Sequence, residues 1–279
     1  MRWQKSRRSQ HIEDRRGSGM PRGVIGGGLG TLVLLLVAAL LGIDPTAIDS
    51  SPDPSGSVSV SEEPGGHDVQ REFVAAVLGD TEETWHALFR DFDGPYREPT
   101  LVLFSGMVQS ACGFAQAAVG PFYCPLDQKV YLDLQFFQDL ANRFEAPGDF
   151  ARAYVIAHEV GHHVQTLLGI AQQVSRLQQQ ASKEASNTLS VLLELQADCF
   201  AGVWAHHAHE ERQLLEAGDV EEGLHAASAI GDDRLQRRAQ GYVVPESFTH
   251  GSSAQRVSWF RRGLQTGDVD QCDTFSAAR

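Results

Sequence analysis

The chain has 279 residues, of which 42% are hydrophobic and 21% are charged, and its formal net charge at pH 7 is −13. This length is enough for one catalytic-sized domain with appendages, or for two small domains. The acidic charge argues against a nucleic-acid partner, because proteins that bind nucleic acids usually carry a basic patch.

The first predicted element is a transmembrane helix at residues 24–43, which contain no charged side chain. Twenty helical residues span about 30 Å, the thickness of a bilayer core. Residues 1–23 hold seven basic and two acidic residues, which predicts a cytoplasmic tail and places the rest of the chain outside the cytoplasm. A cleaved signal peptide is the alternative, although its apolar core usually has only about 7–15 residues.

Residues 44–70 are rich in Pro, Ser, Gly and acidic residues and contain almost nothing to bury. Such a composition does not offset the cost of ordering the backbone, so we predict a disordered linker. The folded domain is expected to occupy residues 71–279. Its first helix is predicted at residues 72–89, and Gly79-Asp80 is a candidate break within it.

Two strands are predicted next, at residues 100–106 and 130–134, because both runs are short, apolar and rich in β-branched residues. The remainder shows helical periodicity in five stretches, at residues 136–144, 148–168, 187–207, 220–231 and 253–264. A few strands followed mostly by helices predict an α+β domain, mostly helical and with a small sheet.

Four cysteines occur, all beyond the apolar stretch: Cys112, Cys124, Cys199 and Cys272. An even number in an oxidising compartment suggests two disulfides, although four cysteines permit three connectivities. The short loop between Cys112 and Cys124 makes that pair the first hypothesis, which leaves Cys199 to pair with Cys272. Four buried free thiols are the alternative.

The predicted helix at residues 148–168 contains the sequence AHEVGHH. His158 and His162 are four residues apart, so their imidazoles share one helical face and can bind one metal ion. Glu159 projects beside that face, where a carboxylate can accept a proton from metal-bound water, as in the HExxH motif. We interpret His163, which lies off this face, as a structural residue rather than a ligand. Incidental histidines on a surface helix are the alternative, and the apolar flanks argue against it.

A catalytic zinc ion needs three protein ligands and an open fourth position. Glu194 is a lone charge within an apolar run, and Asp198 follows one helical turn later. Burying two unpaired carboxylates would cost several kcal/mol each. We therefore predict that Glu194 binds the metal and that Asp198 orients a ligating histidine. A helix whose acidic face points to solvent is the alternative, which the surrounding apolar residues disfavour.

The motif HEVGHH followed by ELQAD resembles the gluzincin metallopeptidases, and more narrowly the bacterial neutral zinc metallopeptidases with a single N-terminal membrane anchor. The resemblance extends over nearly the whole chain, through MRWQ, EDRRG, GPFYCP, VIAHEVGHHVQ, ELQADCFAGVW, IGDDRLQ and SFTHGSSAQRVSWF. It implies a membrane-anchored zinc endopeptidase that cuts a peptide or protein substrate outside the cytoplasm, at the bacterial cell membrane. By this resemblance His158, His162 and Glu194 are the Zn²⁺ ligands, Glu159 is the catalytic base and Asp198 supports the site.

Hydrolysis of a peptide bond also needs a donor, besides the metal, for the developing oxyanion. His250 and Tyr154 are the two candidates, and we name His250 as the catalytic one. Its alternative role is to cap the helix that starts near Ser252. We interpret the acidic residues of the GDDR sequence at 231–234 as a helix cap rather than as a calcium site, which needs more oxygen ligands.

A different class of function remains open. The chain could be a non-catalytic zinc-binding membrane protein that acts as an extracytoplasmic interaction or chaperone module. The presence of Glu159 counts against this hypothesis, because a structural site needs ligands but no base. A second alternative is a metal-stabilised interaction domain, in which His163 or His250 would close the fourth coordination position.

Overall fold

A computed structural model describes residues 1–17, 68–92, 94–116 and 120–276. The chain divides into two compact units, one made of Met1–Gly17 with Asp68–Arg279 and the other of Ser18–His67. The predicted transmembrane helix at 24–43 and nearly all of the predicted linker lie outside the described residues. No helix in the described ranges is long and apolar enough to cross a membrane.

Helices dominate the described residues. They are α1 (Val69–Leu88), α2 (Gln135–Asn142), α3 (Asp149–Leu167), α4 (Ile170–Gln178), α5 (Lys183–Arg212), α6 (Asp219–Ala229), α7 (Asp232–Gln240) and α8 (Ser253–Thr266). The strands are β1 (Ile12–Asp14), β2 (Thr100–Phe104), β3 (Met107–Ser110), β4 (Gly113–Gln116), β5 (Phe122–Cys124) and β6 (Lys129–Asp133). The predicted mostly helical α+β class is confirmed.

Most of the predicted elements have a counterpart in the structure. The two predicted strands correspond to β2 and β6, and the five predicted later helices correspond to α2, α3, α5, α6 and α8. Helix α1 runs without a break through Gly79. The sequence analysis missed β1, β3, β4, β5, α4 and α7, which are all short.

The main sheet has the strand order β1-β2-β6-β5. Strands β1, β2 and β6 are parallel, and β5 is an antiparallel edge strand. Successive residues of a strand face opposite sides, so Leu101 and Leu103 pack on the helices while Val102 and Phe104 pack under the β3–β4 hairpin.

Two disulfides fix elements around this sheet and the helices. Cys112 at the hairpin turn is bonded to Cys124 on β5, and Cys199 on α5 is bonded to Cys272 near the C-terminus. Both predicted pairs are confirmed, and no free cysteine occurs in the described ranges.

Glycines let the helices around α5 approach closely. A Cβ atom at Gly263 of α8 would lie 2.0 Å from the carbonyl oxygen of Cys199, and one at Gly202 of α5 would lie 2.1 Å from that of Phe260. A Cβ atom at Gly161 of α3 would lie 3.0 Å from the carbonyl oxygen of Ala197. Helix α5 therefore packs against both α8 and α3 at backbone distance, which brings polar side chains of all three helices together.

Residues 1–17 belong to the folded domain. The carboxylate of Glu82 on α1 is fully buried, and it pairs with Arg7, Ser9 and His11. The structure differs here from the prediction of a separate tail at 1–23 and of a domain that starts near residue 71. The reason is that basic residues of this segment, such as Arg7, form ion pairs with acidic residues of the domain.

Gly79 offers a test of this docking. A Cβ atom there would lie 2.5 Å from the carbonyl oxygen of Arg7. An unhindered Gly→Ala change within a helix stabilises by up to about 1 kcal/mol, but we expect Gly79→Ala to lower the free energy of unfolding by about 1–3 kcal/mol through overpacking. Denaturant titration measures the free energy of unfolding, with Gln70→Ala at an exposed position of α1 as the control. A stabilising Gly79→Ala would contradict the docked position of residues 7–9.

Candidate metal centre and active site

Two histidines and one carboxylate come together between helices α3 and α5. His158 Nε2 lies 3.2 Å from one carboxylate oxygen of Glu194, and His162 Nε2 lies 3.4 Å from the other. One ligand atom from each residue can be chosen so that all three lie within 4.8 Å of one another. The structure therefore brings together the three residues that the sequence predicts as metal ligands.

Asp198 lies behind this cluster and is fully buried. Its carboxylate accepts a hydrogen bond from His158 Nδ1 at 2.9 Å and two from Arg256, from Nε at 2.8 Å and Nη2 at 2.9 Å. The Tyr154 hydroxyl donates a further hydrogen bond. Because His158 Nδ1 is engaged by Asp198, His158 Nε2 is the nitrogen left to bind a metal, and it faces Glu194.

The charges of the site explain how its side chains titrate before a metal binds. Burial lowers the pKa of His158, but the charge of Asp198 and the hydrogen bonds to Asp198 and Glu194 together outweigh burial and raise that pKa to about 10. Burial raises the pKa of Glu194, but the neighbouring His162 and His158 hold it well below its usual range. Binding a metal must therefore displace protons from the histidines, which couples metal affinity to pH.

Glu159 lines the cleft beside the two histidines and is 8% exposed. Its carboxylate has no hydrogen-bond partner among the residues that the structure describes. Burial raises the pKa of this carboxyl group above its ordinary value. A base that takes up a proton near neutral pH benefits from such a shift.

His163 has a different environment from its neighbour His162. It is fully buried, donates from Nε2 to the carbonyl oxygen of Arg97 at 2.6 Å, and accepts at Nδ1 from the Tyr123 hydroxyl at 3.1 Å. Burial lowers its pKa to about 4, so the ring is neutral at pH 7. His163 holds α3 against β5 and lies outside the ligand cluster, as the sequence analysis predicted.

His250 lines the same cleft from the loop between α7 and α8. Its Nδ1 lies 3.2 Å from the carboxylate of Asp232, which also accepts the backbone N–H groups of Thr249, His250 and Gly251. The hydrogen bond to Asp232 raises the pKa of His250. The helix cap that was the alternative role of His250 is made by Ser252, in a capping box with Gln255.

Three residues around the site were not assigned these roles from the sequence. Arg256 neutralises Asp198, Asp232 orients His250, and Tyr123 extends from β5 into the cleft. Tyr154, the other candidate donor, points its hydroxyl to Asp198 and Arg256, behind the ligand cluster. In the sequence, only lone carboxylates and histidines in apolar surroundings indicated a functional site. Arg256 and Tyr123 showed no such pattern.

The ligand cluster opens into a cleft of about 980 Å³. Glu159 and His250 line it, as do residues of the edge strand β5. The cleft is thus lined by three histidines, His158, His162 and His250, and by the carboxylates of Glu159 and Glu194.

The sequence model of the family described as "Putative neutral zinc metallopeptidase" matches residues 1–275. The chain belongs to this zinc metallopeptidase family. It is 48% identical over 286 residues to "Uncharacterized protein YpfJ" of Escherichia coli (strain K12), with 99% of each chain covered. It is 44% identical over 257 residues to "Uncharacterized protein Rv2575" of Mycobacterium tuberculosis (strain ATCC 25618 / H37Rv), with 86% of each covered. No solved structure matches the chain.

The ligand cluster fits the zinc ion that the family description implies. Zinc binds histidine nitrogen and carboxylate oxygen at about 2.0–2.2 Å, which puts the atoms of a tetrahedral ligand set about 3.3–3.6 Å apart. The two His–Glu194 separations of 3.2 and 3.4 Å, to the two different carboxylate oxygens, are near that spacing, and one ligand atom from each residue lies within 4.8 Å of the other two. His158, His162 and Glu194 would hold the ion.

Substitutions of Glu194 and of Asp198 separate what a ligand contributes to zinc binding from what the carboxylate behind the cluster contributes. We expect Glu194→Gln to remove most of the bound zinc, since it replaces the charged ligand. Asp198→Asn should weaken zinc affinity by about 10–100-fold, because it disturbs the histidine that Asp198 orients. Competition with a chelator measures both effects. Glu210→Gln, at an exposed position of the same helix, is the control, and an equal loss of zinc there would contradict the assignment.

Proposed function

We propose that this protein is a zinc-dependent endopeptidase in which Glu159 is the catalytic base. The observation that carries the proposal is a three-residue ligand cluster in an open cleft, beside the buried carboxylate of Glu159, which has no hydrogen-bond partner among the described residues. A structural zinc site is closed by four protein ligands, whereas a catalytic one keeps a position open. Membership of the zinc metallopeptidase family supports the same class of reaction.

The position of β5 supports a polypeptide substrate. This strand lines the cleft, and among the described strands it pairs with β6 alone, so it lies at an edge of the sheet. An extended peptide can add to such an edge through main-chain hydrogen bonds. The cleft beside it is large enough for several residues of a chain that runs along the strand.

The reaction would use the residues around the cluster in distinct roles. Bound zinc would polarise the scissile carbonyl group and lower the pKa of the attacking water. Glu159 would accept the proton of that water and then donate it to the leaving amine. His250, whose Nδ1 is held by Asp232, would donate from Nε2 to the oxyanion that develops.

Asp198 and Arg256 would act through His158 and not through contact with the substrate. Asp198 fixes the orientation of the His158 ring, and Arg256 keeps the buried Asp198 carboxylate charged. Loss of either would loosen the ligand that they hold. Their role is to position the site rather than to react.

Location and membrane attachment are a further part of the proposal. Two disulfides are typical of proteins that fold in an oxidising compartment. We therefore place the domain outside the cytoplasm of a bacterial cell. The uncharged stretch at residues 24–43 is the segment that we propose attaches it to the membrane.

The substitution Glu159→Gln tests the catalytic role. We expect it to lower kcat by about 10²–10⁴-fold, because a glutamine cannot take up the proton. Zinc content should stay unchanged, since Glu159 is not a ligand. The assay incubates full-length wild type and variant with an unfolded protein and a peptide library, and determines bound zinc in both. If both carry zinc and neither cuts, the non-catalytic zinc-binding alternative is favoured.

The pH profile tests His250. A protonated His250 can donate to the oxyanion, so activity should fall as pH rises through its pKa, which Asp232 raises above the ordinary value. His250→Ala should lower kcat by about 10²–10³-fold and abolish this alkaline limb. Asp232→Asn should move the limb to lower pH. His209→Ala, at an exposed position of α5, is the control, and an unchanged limb in His250→Ala would contradict the assignment.

A further inference from the structure

One end of the cleft lies between helices α2 and α7 and differs in character from the metal end. Its walls are apolar, with Phe136 from α2, Phe144 after it and Leu235 from α7. Phe136 and Phe144 are tilted against each other with ring centroids 6.2 Å apart. This end of the cleft therefore offers a surface for a large apolar side chain.

Two arginines stand at the same end of the cleft. The guanidinium carbon of Arg143 lies 5.4 Å from the centroid of the Phe144 ring, and that of Arg238 lies 5.9 Å from it. Arg238 also donates to the carbonyl oxygen of Arg143. These contacts hold both cations beside the apolar walls rather than leaving them free to extend into solvent.

Neither Arg143 nor Arg238 forms an ion pair with an acidic residue in the described part of the chain. Other arginines of the described chain are likewise without an ion pair, but Arg143 and Arg238 line the cleft that holds the ligand cluster. One carboxylate, that of Asp139, also lines this end of the cleft. With two arginines and one aspartate, the residues that line this end of the cleft have a net positive charge.

An unpaired guanidinium has donors in a planar fork, which match the two oxygens of a carboxylate. We propose that this end of the cleft binds a large apolar side chain together with a carboxylate of the same polypeptide substrate. The preferred substrate has a bulky apolar residue close to an aspartate or glutamate, or close to its own C-terminal carboxylate. The assignment rests on the proposed function, since it concerns the substrate of that site.

Binding to zinc-loaded Glu159→Gln protein tests the preference independently of cleavage. The probes are short labelled peptides with a central leucine next to either glutamate or glutamine, each made with a C-terminal acid or amide. We expect the form with the carboxylate to bind about fivefold or more tightly, as suits a partly exposed, charge-assisted pair. High salt should reduce this ratio. The glutamate and C-terminal arms show which carboxylate is recognised.

Substitutions in the same background assign the preference to the two arginines. In Arg143→Gln/Arg238→Gln the ratio should fall toward one, and in the control Arg90→Gln/Arg261→Gln, at exposed positions elsewhere, it should persist. Leu235→Ser should weaken binding of the leucine peptides relative to peptides with a central serine. Melting curves confirm that each variant is folded.

The outcomes separate the two proposals. Equal affinity for peptides with and without the carboxylate, or a ratio unchanged in the double arginine variant, overturns the substrate assignment. Wild-type protein is assayed for cleavage of the same peptides in parallel. A wild type that binds with the expected preference but cuts none of the peptides contradicts the peptidase function and leaves the recognition of carboxylates standing.

Discussion

The buried carboxylate of Asp198 is the contact on which the site and the helix packing both depend. A carboxylate without partners in such a position would cost several kcal/mol. Here it is satisfied from two helices packed against its own helix α5, by His158 and Tyr154 of α3 and by Arg256 of α8. The close approach of α5 and α8 at Gly202 and Gly263 brings Arg256 within reach. The same buried contacts therefore pack the core and orient a metal ligand.

A similar arrangement recurs at the neighbouring histidines. One ring nitrogen contacts a fixed acceptor, and this sets the direction of the other nitrogen. For His158 the fixed partner is Asp198, for His250 it is Asp232, for His162 it is the amide oxygen of Gln165, and for His163 it is the carbonyl oxygen of Arg97. The first three rings face the cleft, while the fourth is held as a neutral ring within the core.

The sequence allowed the ligand cluster to be predicted because its signals are local. Four-residue spacing within one helix fixes how His158 and His162 lie, and a carboxylate inside an apolar run, such as Glu194, must find a partner. Arg256 and Asp232 could not be assigned in this way, because their partners are distant in the chain and their own surroundings look solvent-exposed. β1 was missed because it has only three residues and lies among basic residues. The ion pairs that hold it are made with residues of the folded domain, which are distant in the chain.

The position of β1 has a topological consequence. Ile12–Asp14 pair in parallel with β2, and Arg16 forms an ion pair with Asp68, so the segment that ends at Gly17 and the segment that begins at Asp68 meet on the folded domain. Strand β1 therefore covers one edge of β2 with a segment that is remote in the chain. A protein that began at residue 68 would leave β2 as an edge strand, with its backbone N–H and C=O groups open to pairing with another chain.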